Sequence, residues 1–224
     1  LTPEDALPVA GYLPGQYLSI YLQPEGSPYR QIRQYSLTRN ANGQNYRIAV
    51  RHQEGGTISG WLHQKAKCGD LLEVAVPGGD FVLDESLAPA PITLISAGVG
   101  QTPLLAMLHQ LAKQQYPSQV NWWHATHSSA THAFADEVTA LGNQLEKFSQ
   151  VLWYSAPHTG DNPAAQFSGR MEISMTGAEQ FSPEHHFYLC GPLEFMQSVF
   201  EQLTAAGIAP DHIHYEMFGP QKSL

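Results

Sequence analysis

The sequence predicts a small antiparallel β-barrel followed by an α/β unit built on a parallel sheet. Between Gln16 and Phe81, apolar residues alternate in short runs broken by Gly, Pro and Asn, which is the rhythm of a barrel. After the loop Ala88 to Pro91, buried-strand runs alternate with helical patterns of ten residues or more. The chain is therefore expected to divide at residues 1–88 and 89–224.

In the first unit the strand-like runs are Gln16 to Leu22, Arg33 to Leu37, Tyr46 to Arg51 and Leu71 to Val76. One short helix fits among them, Thr57 to Gln64, with Thr57 suited to cap it just after the pair Gly55-Gly56. In the second unit strands are expected at Ile92 to Ser96, Val120 to Ala125, Val151 to Tyr154, His186 to Cys190 and His212 to Glu216. Helices are expected at Thr102 to Gln115, Thr131 to Leu141 and Pro192 to Ala206, the last ended by Gly207. Ala156 to Glu184 is polar and turn-rich and receives no assignment.

Composition excludes several functions. With 224 residues, 42% of them hydrophobic, the chain can bury a sizeable core. A formal net charge of -9 with only 11 Lys plus Arg would repel a phosphate backbone, so nucleic acid is not an expected partner. No apolar run approaches the roughly 20 residues that span a bilayer, and Leu1 to Ala10 lacks the features of a signal peptide. A soluble protein of the reducing cytoplasm is expected, because Cys68 and Cys190 lie far apart with no CxxC spacing. Of eleven histidines, His124, His127 and His132 cluster, as do His185 and His186, and His212 and His214, but none forms an HExxH pattern, and no metal site is expected. The chain starts at Leu1 after no Met, as a piece of something longer would.

The strongest phosphate-binding pattern is Gly98-Val99-Gly100-Gln101-Thr102-Pro103, placed after one expected strand and before a helix. Glycines there let the backbone approach a pyrophosphate, the helix N-terminus stabilises its charge, and Pro103 suits a first helical turn. The pattern departs from the usual dinucleotide fingerprint, since Pro103 replaces the third glycine and Trp123 to His127 ends the next strand without an acid. That segment also offers no Arg or Lys for a 2'-phosphate, which favours NADH over NADPH, with His127 the one feature arguing the other way.

In the barrel unit, Arg33-Gln34-Tyr35-Ser36 combines a guanidinium, an aromatic ring and a hydroxyl on one strand. Alternation puts Arg33 and Tyr35 on the same face and turns Ser36 away, unless the strand twists or ends there. Gly55-Gly56-Thr57-Ile58-Ser59 opens the short helix and offers a second anion site. Two phosphate sites in two units suggest two cofactors, as for a flavin paired with a nicotinamide.

Near the C-terminus, Cys190-Gly191-Pro192 repeats the strand-to-helix design, and Glu216-Met217-Phe218-Gly219-Pro220 follows the last expected strand. Gly98, Cys190 and Phe218 all fall beyond the C-terminal ends of strands, where open α/β sheets bind ligands. Taken singly, Cys190 reads as a small buried hydrophobe and Phe218 as a core aromatic.

Together RQYS, GGTIS, GVGQTP, CGP and HYEMFGP, with Thr93 to Met107 and Phe134 to Val138, resemble the ferredoxin-NADP-reductase-like family. Within it the likeness is to the reductase regions of flavohaemoglobins, the nitric oxide dioxygenases. The resemblance implies FAD and NADH as cofactors, with NADPH possible, and a haem-containing globin domain as partner, normally in the same chain. It implies that Arg33 holds the FAD phosphates, Tyr35 covers one flavin face, Ser36 bonds near the reactive nitrogen and Tyr17 touches the cofactor. It places Gly98 to Pro103 on the NAD(P)H pyrophosphate, Cys190 and Gly191 beside the nicotinamide, and Phe218 on the other flavin face, with Glu216 tuning the potential. The family's globin has no counterpart here, and the first barrel strand is expected upstream of Leu1. Haem is thus expected only on that separate globin. A reductase serving an oxygenase or free flavin, and a flavin- or nucleotide-sensing module without turnover, are the alternative readings.

Overall fold

The computed structural model describes residues 1–24, 28–158, 160, 166–176 and 181–218. Three strands, β1 (Tyr17–Leu22), β2 (Gln31–Ser36) and β3 (Glu73–Val74), form an antiparallel sheet in the order β2-β1-β3. Leu18 faces Tyr35, and Ile20 faces Arg33 on one side and Val74 on the other. Leu18 and Ile20 are fully buried, as alternation requires of one face. Isolated bridges from Tyr17 to Gly78 and from Leu37 to Ile48 extend the sheet.

Two expected strands come out differently. Tyr46 to Arg51 makes one bridge and no ladder, because its backbone bonds sparsely, to Leu1 on one side and Thr38 on the other. Leu71 to Val76 shrinks to Glu73–Val74, since Leu71 and Val76 are 71% and 77% exposed and bury nothing by pairing. The helix α1 (Thr57–Gln64) has the expected bounds, but its N-cap is Gly56 in extended conformation and Thr57 is already helical.

The second half is a six-stranded parallel sheet. Its strands are β4 (Ile92–Ala97), β5 (Val120–Thr126), β6 (Phe148–Tyr154), β7 (Gln166–Ser168), β8 (His186–Gly191) and β9 (Ile213–Met217), in the order β7-β6-β5-β4-β8-β9. Helices α2 (Gln101–Lys113), α3 (Ala135–Gly142) and α4 (Leu193–Ala205) make the crossovers. α3 starts later than the periodicity suggests, because Ser129–Thr131 is a 3₁₀ turn and Phe134 takes a left-handed conformation with φ 63°. The edge strand β7 lies in the stretch left unassigned, where three residues are too few to show a period.

Both sheet faces are covered, as a parallel sheet requires. Leu94, Trp122 and Tyr188 pack against α2 and α3 through Leu104, Leu108 and Val138. Ile95, Trp123, Trp153 and Leu189 pack on the other face against Met196, Val199 and Leu203 of α4. Phe81 and Leu83, at the end of the antiparallel half, join the first of these cores, so α2 is sandwiched between the sheet and the barrel-like half. Truncating Leu104, which is fully buried there, should cost about 2–5 kcal/mol. This packing aims the C-terminal ends of β4, β5, β6, β8 and β9 at the seam between the halves. Among the described residues no helix is long and apolar enough to cross a membrane, and no group of three or more His, Cys, Asp or Glu side chains is placed to hold a metal ion.

Candidate functional site

Two chambers open along that seam. The first, about 770 Å³, is walled by Arg33 to Ser36 of β2, Tyr17 of β1, Gly56 and Ser59 at the start of α1, and Glu216, Met217 and Phe218 at the end of β9. The second, about 620 Å³, is walled by Gly98, Val99, Gln101 and Thr102, by Ala125 to His127 after β5, by Ser155 after β6, and by Arg170 and Pro192. Ala49, Arg51, Val99 and Thr102 line both, so the chambers share a wall.

The conflict over Ser36 is resolved by the strand ending there. Leu37 N–H turns to Gln16 O at 2.9 Å and its side chain enters the core, so Ser36 and Tyr35 reach the same chamber. Ser36 is 5% exposed and its Oγ has no hydrogen-bond partner among the described residues. Glu216 Oε2 is also buried, with no partner among the described residues, and burial pushes its carboxyl up to about 7. Buried polar atoms without a partner are rare and call for a ligand or a role. Burial also raises the Tyr35 phenol, although the neighbouring Arg33 opposes this.

The second chamber opens on a tight glycine turn. Gly98 has φ 54°, a conformation that favours glycine, and a Cβ on Gly100 would lie 2.2 Å from Cys190 O. Thr102 Oγ1 donates to Val99 O at 3.0 Å and closes the turn that opens α2. Pro103 sits buried in the first turn of that helix, where a missing N–H leaves no bond unmade. Gln101 Oε1 is another buried acceptor without a partner among the described residues. The residues present thus fit an anionic nucleotide in each chamber, with glycine turns and, among the described residues, unpartnered side-chain oxygens at the walls.

Several expected residues lie elsewhere. Cys190 is fully buried in the core and lines neither chamber, while burial and the nearby Glu216 hold its thiol well above the usual range. The Cys190 backbone packs on Gly100, and Pro192 of the same motif reaches the chamber wall. Gly191 also stays off the wall, under the Phe195 ring, which a Cβ would meet at 2.8 Å. Gly55, Gly100 and Pro103 shape the turns without lining a chamber. Phe218 is 47% exposed on the chamber wall, which overturns its reading as a core aromatic. Gly219 and Pro220 lie outside the described residues.

Two cations were missed. Arg51 stands on the shared wall, its Nη1 3.5 Å from where a Cβ on Gly98 would be, and nothing in the run Tyr46 to Arg51 marks it as a ligand. Arg170 follows β7, beside the ends of β5 and β6, where His127 Nδ1 and Ser155 Oγ are 3.0 Å apart. The segment after β5 holds no guanidinium, as the sequence shows, but the sheet brings one in from a strand that the sequence did not reveal.

Known proteins share this arrangement. Residues 3–83 match the oxidoreductase FAD-binding domain family and residues 94–201 the oxidoreductase NAD-binding domain family. The flavohaem-like FAD/NAD-binding domain of nitric oxide dioxygenase from Vibrio cholerae is 42% identical, with a TM-score of 0.87 over 98% of this chain and 90% of that one. A flavohaemoglobin from Malassezia yamatoensis, solved with FAD and haem, is 30% identical with a TM-score of 0.85 over 97% of this chain; this chain spans 55% of its length. A cytochrome P450 reductase from Amycolatopsis, at 24% identity and a TM-score of 0.82, shares the fold over 96% of this chain and 63% of its own. The chain belongs to the ferredoxin-NADP-reductase-like family of oxidoreductases, whose cofactors are FAD and NAD(P)H. Within that family it resembles the FAD- and NAD-binding region of flavohaemoglobins.

Proposed function

We propose that this chain is the reductase module of a flavohaemoglobin-type nitric oxide dioxygenase system in the cytoplasm. It takes hydride from NADH and passes electrons singly to haem on a globin domain, the two halves dividing at residues 1–88 and 89–224. The observation that carries this reading is the shared wall: two nucleotide-sized chambers meet at Ala49, Arg51, Val99 and Thr102, so ligands in them can touch.

FAD bound in the larger chamber would supply acceptance of hydride and its release as single electrons. Arg33 and the α1 N-terminus at Gly56 and Ser59 would neutralise its phosphates, and Tyr35 would support one face of its ring. Ser36 Oγ would make the hydrogen bond that it lacks among the described residues. Phe218 would shield the opposite face and yield when the nicotinamide arrives, with Met217 behind it. Glu216, titrating near neutrality, would hold or release a proton beside the ring. Gly98 to Thr102 and Arg51 would hold the dinucleotide's pyrophosphate, and no general base is needed for hydride to pass between stacked rings.

The test is anaerobic addition of NADH to the FAD-loaded chain, followed by mixing with a haem-bearing globin domain. Bleaching of the flavin band near about 450 nm and subsequent haem reduction support the proposal. Unchanged colour would favour a sensing module, and bleaching without electron delivery to globin haem would favour a reductase serving an oxygenase or free flavin.

A further inference from the structure

One polar cluster outside the chambers ties the two halves together. Arg47, on the segment Tyr46 to Arg51, reaches across to Glu137 of α3 with both terminal nitrogens, Nη2 to Oε1 at 2.7 Å and Nη1 to Oε2 at 3.3 Å. His109 Nε2 of α2 lies 2.6 Å from the same Oε1. Both ion pairs run between these three residues, and both end on one carboxylate. Arg47 is itself anchored, Nε donating to Thr38 Oγ1 at 2.7 Å and Nη2 to Thr38 O at 2.6 Å. Side-chain exposures of 32%, 27% and 23% for Arg47, Glu137 and His109 put the cluster in partial shelter, where a two-pronged pair is worth more than a fully exposed one.

Each member stands on an element that also walls a chamber. The Arg47 segment continues to Ala49 and Arg51 on the shared wall, and Thr38 follows closely on Ser36. Glu137 lies in the first turn of α3, just after Phe134 of the nucleotide chamber, and α2 begins at the Gly98 to Thr102 turn. The halves are also joined by the apolar seat of Phe81 and Leu83 against α2, and, close in sequence to the link between them, by Asp84 N–H donating to Tyr188 Oη at 3.0 Å and Gln110 Nε2 donating to Glu85 Oε1 at 2.7 Å. Apolar contact resists separation but has little directional preference. A guanidinium and carboxylate held by two bonds do have one.

We infer that Arg47, Glu137 and His109 form a positioning clamp that sets the angle at which the two chambers meet, and with it the approach of the nicotinamide to the flavin. This rests on the proposed passage of hydride between the chambers. None of the three touches either ligand; they act through the walls, where an error of about 1 Å in ring placement is enough to slow transfer about a hundredfold.

The decisive variant is Glu137→Ala in the FAD-loaded chain. Residual dipolar couplings, measured without NADH, should fit one alignment tensor in the parent and two in the variant, one for each half. Flavin reduction at saturating NADH should fall about tenfold, while reoxidation of photoreduced FAD by ferricyanide, which needs no nicotinamide, should stay at the parental rate. A single tensor in the variant overturns the inference, and so does an equal loss in both half-reactions, which would mean that the cluster merely holds the fold. Should Glu137→Ala fail to fold, Glu137→Gln, of the same size with one carbonyl acceptor, takes its place under the same outcomes. A parent chain that NADH cannot reduce would refute the proposed function instead, and the dipolar couplings would still decide the clamp.

Discussion

Ser36 and Glu216 face one chamber from opposite halves of the molecule, and each carries a buried oxygen with no hydrogen-bond partner among the described residues. Leaving such an atom unpaired costs about 1–3 kcal/mol, a cost that a ligand making the missing bonds would remove. Nothing local in the sequence relates a serine at the end of β2 to a glutamate near the end of β9; the packing of the two halves does.

Tyr35→Ala and Ser36→Ala should weaken FAD binding to different degrees. Losing one hydrogen bond costs about 1 kcal/mol, or about fivefold in affinity, whereas losing the ring removes a stacking surface worth more. Titration of FAD into stripped protein measures both. Parental affinity in the two variants would place the flavin elsewhere.

Glu216 makes stability depend on pH. Its folded carboxyl titrates at about 7 against an ordinary 4.5, so between these values the folded state keeps a proton that the unfolded chain has lost. Stability therefore falls as pH rises through this window, and the penalty is complete above it. Glu216→Gln should be more stable than the parent at pH 8 by up to about 3 kcal/mol, less whatever solvent in the chamber screens, and no more stable at pH 4. Urea unfolding of FAD-free protein at both pH values checks this, and an unchanged difference between them would count against it.

The buried histidines act in the opposite direction. His124, fully buried with Nδ1 2.8 Å from Ser96 Oγ, is held at about 3 by burial and by the neighbouring His132. Below an ordinary 6.5 the unfolded chain takes up a proton that the folded state refuses, so stability is lost as pH falls from 6.5 towards 3. The slope from His124 should be about 1.4 kcal/mol per pH unit. His185, lowered to about 4, adds to it over a narrower range. His124→Gln should flatten the curve by one proton between pH 6 and pH 4; an unaltered slope would mean that His124 titrates normally.

Arg170 is the residue through which nucleotide choice can be tested. NADH remains the proposed donor, but Arg170 shares a chamber with His127 and Ser155, where a 2'-phosphate would extend beyond the adenosine ribose. Arg170→Ala should weaken NADP+ about tenfold, the loss of one charge-assisted contact, and NAD+ by less than about twofold. Equal effects on the two nucleotides would assign Arg170 to the shared pyrophosphate instead.

Phe218→Ser should tighten binding of oxidised nicotinamide if, as proposed, the ring, exposed on the wall of the larger chamber, covers the flavin face on which the nicotinamide would stack. Turnover need not rise with it, since tighter ground-state binding does not lower the barrier. Affinity is read from a long-wavelength charge-transfer band during titration with NAD+. An unchanged affinity with FAD still bound would remove Phe218 from the flavin face.

The sequence by itself determined the change from antiparallel to parallel architecture near residue 90, the glycine turn before α2 and the bounds of α1. These depend on periods and turns within a dozen neighbours, where backbone sterics and alternating burial act locally. It did not determine what depends on partners. Tyr46 to Arg51 alternates like a strand yet among the described residues has no continuous neighbour to pair with, and β7 is too short to show a period. Cys190 and Pro192 stand in one motif, but only packing against Gly100 decides that the thiol is buried and the proline reaches the chamber. Arg51, Arg170 and Glu137 meet their chambers or partners only after the sheet order and the docking of the two halves are set. Long-range placement of this kind comes from apolar surfaces that fit one another across the chain, an outcome that no local pattern encodes.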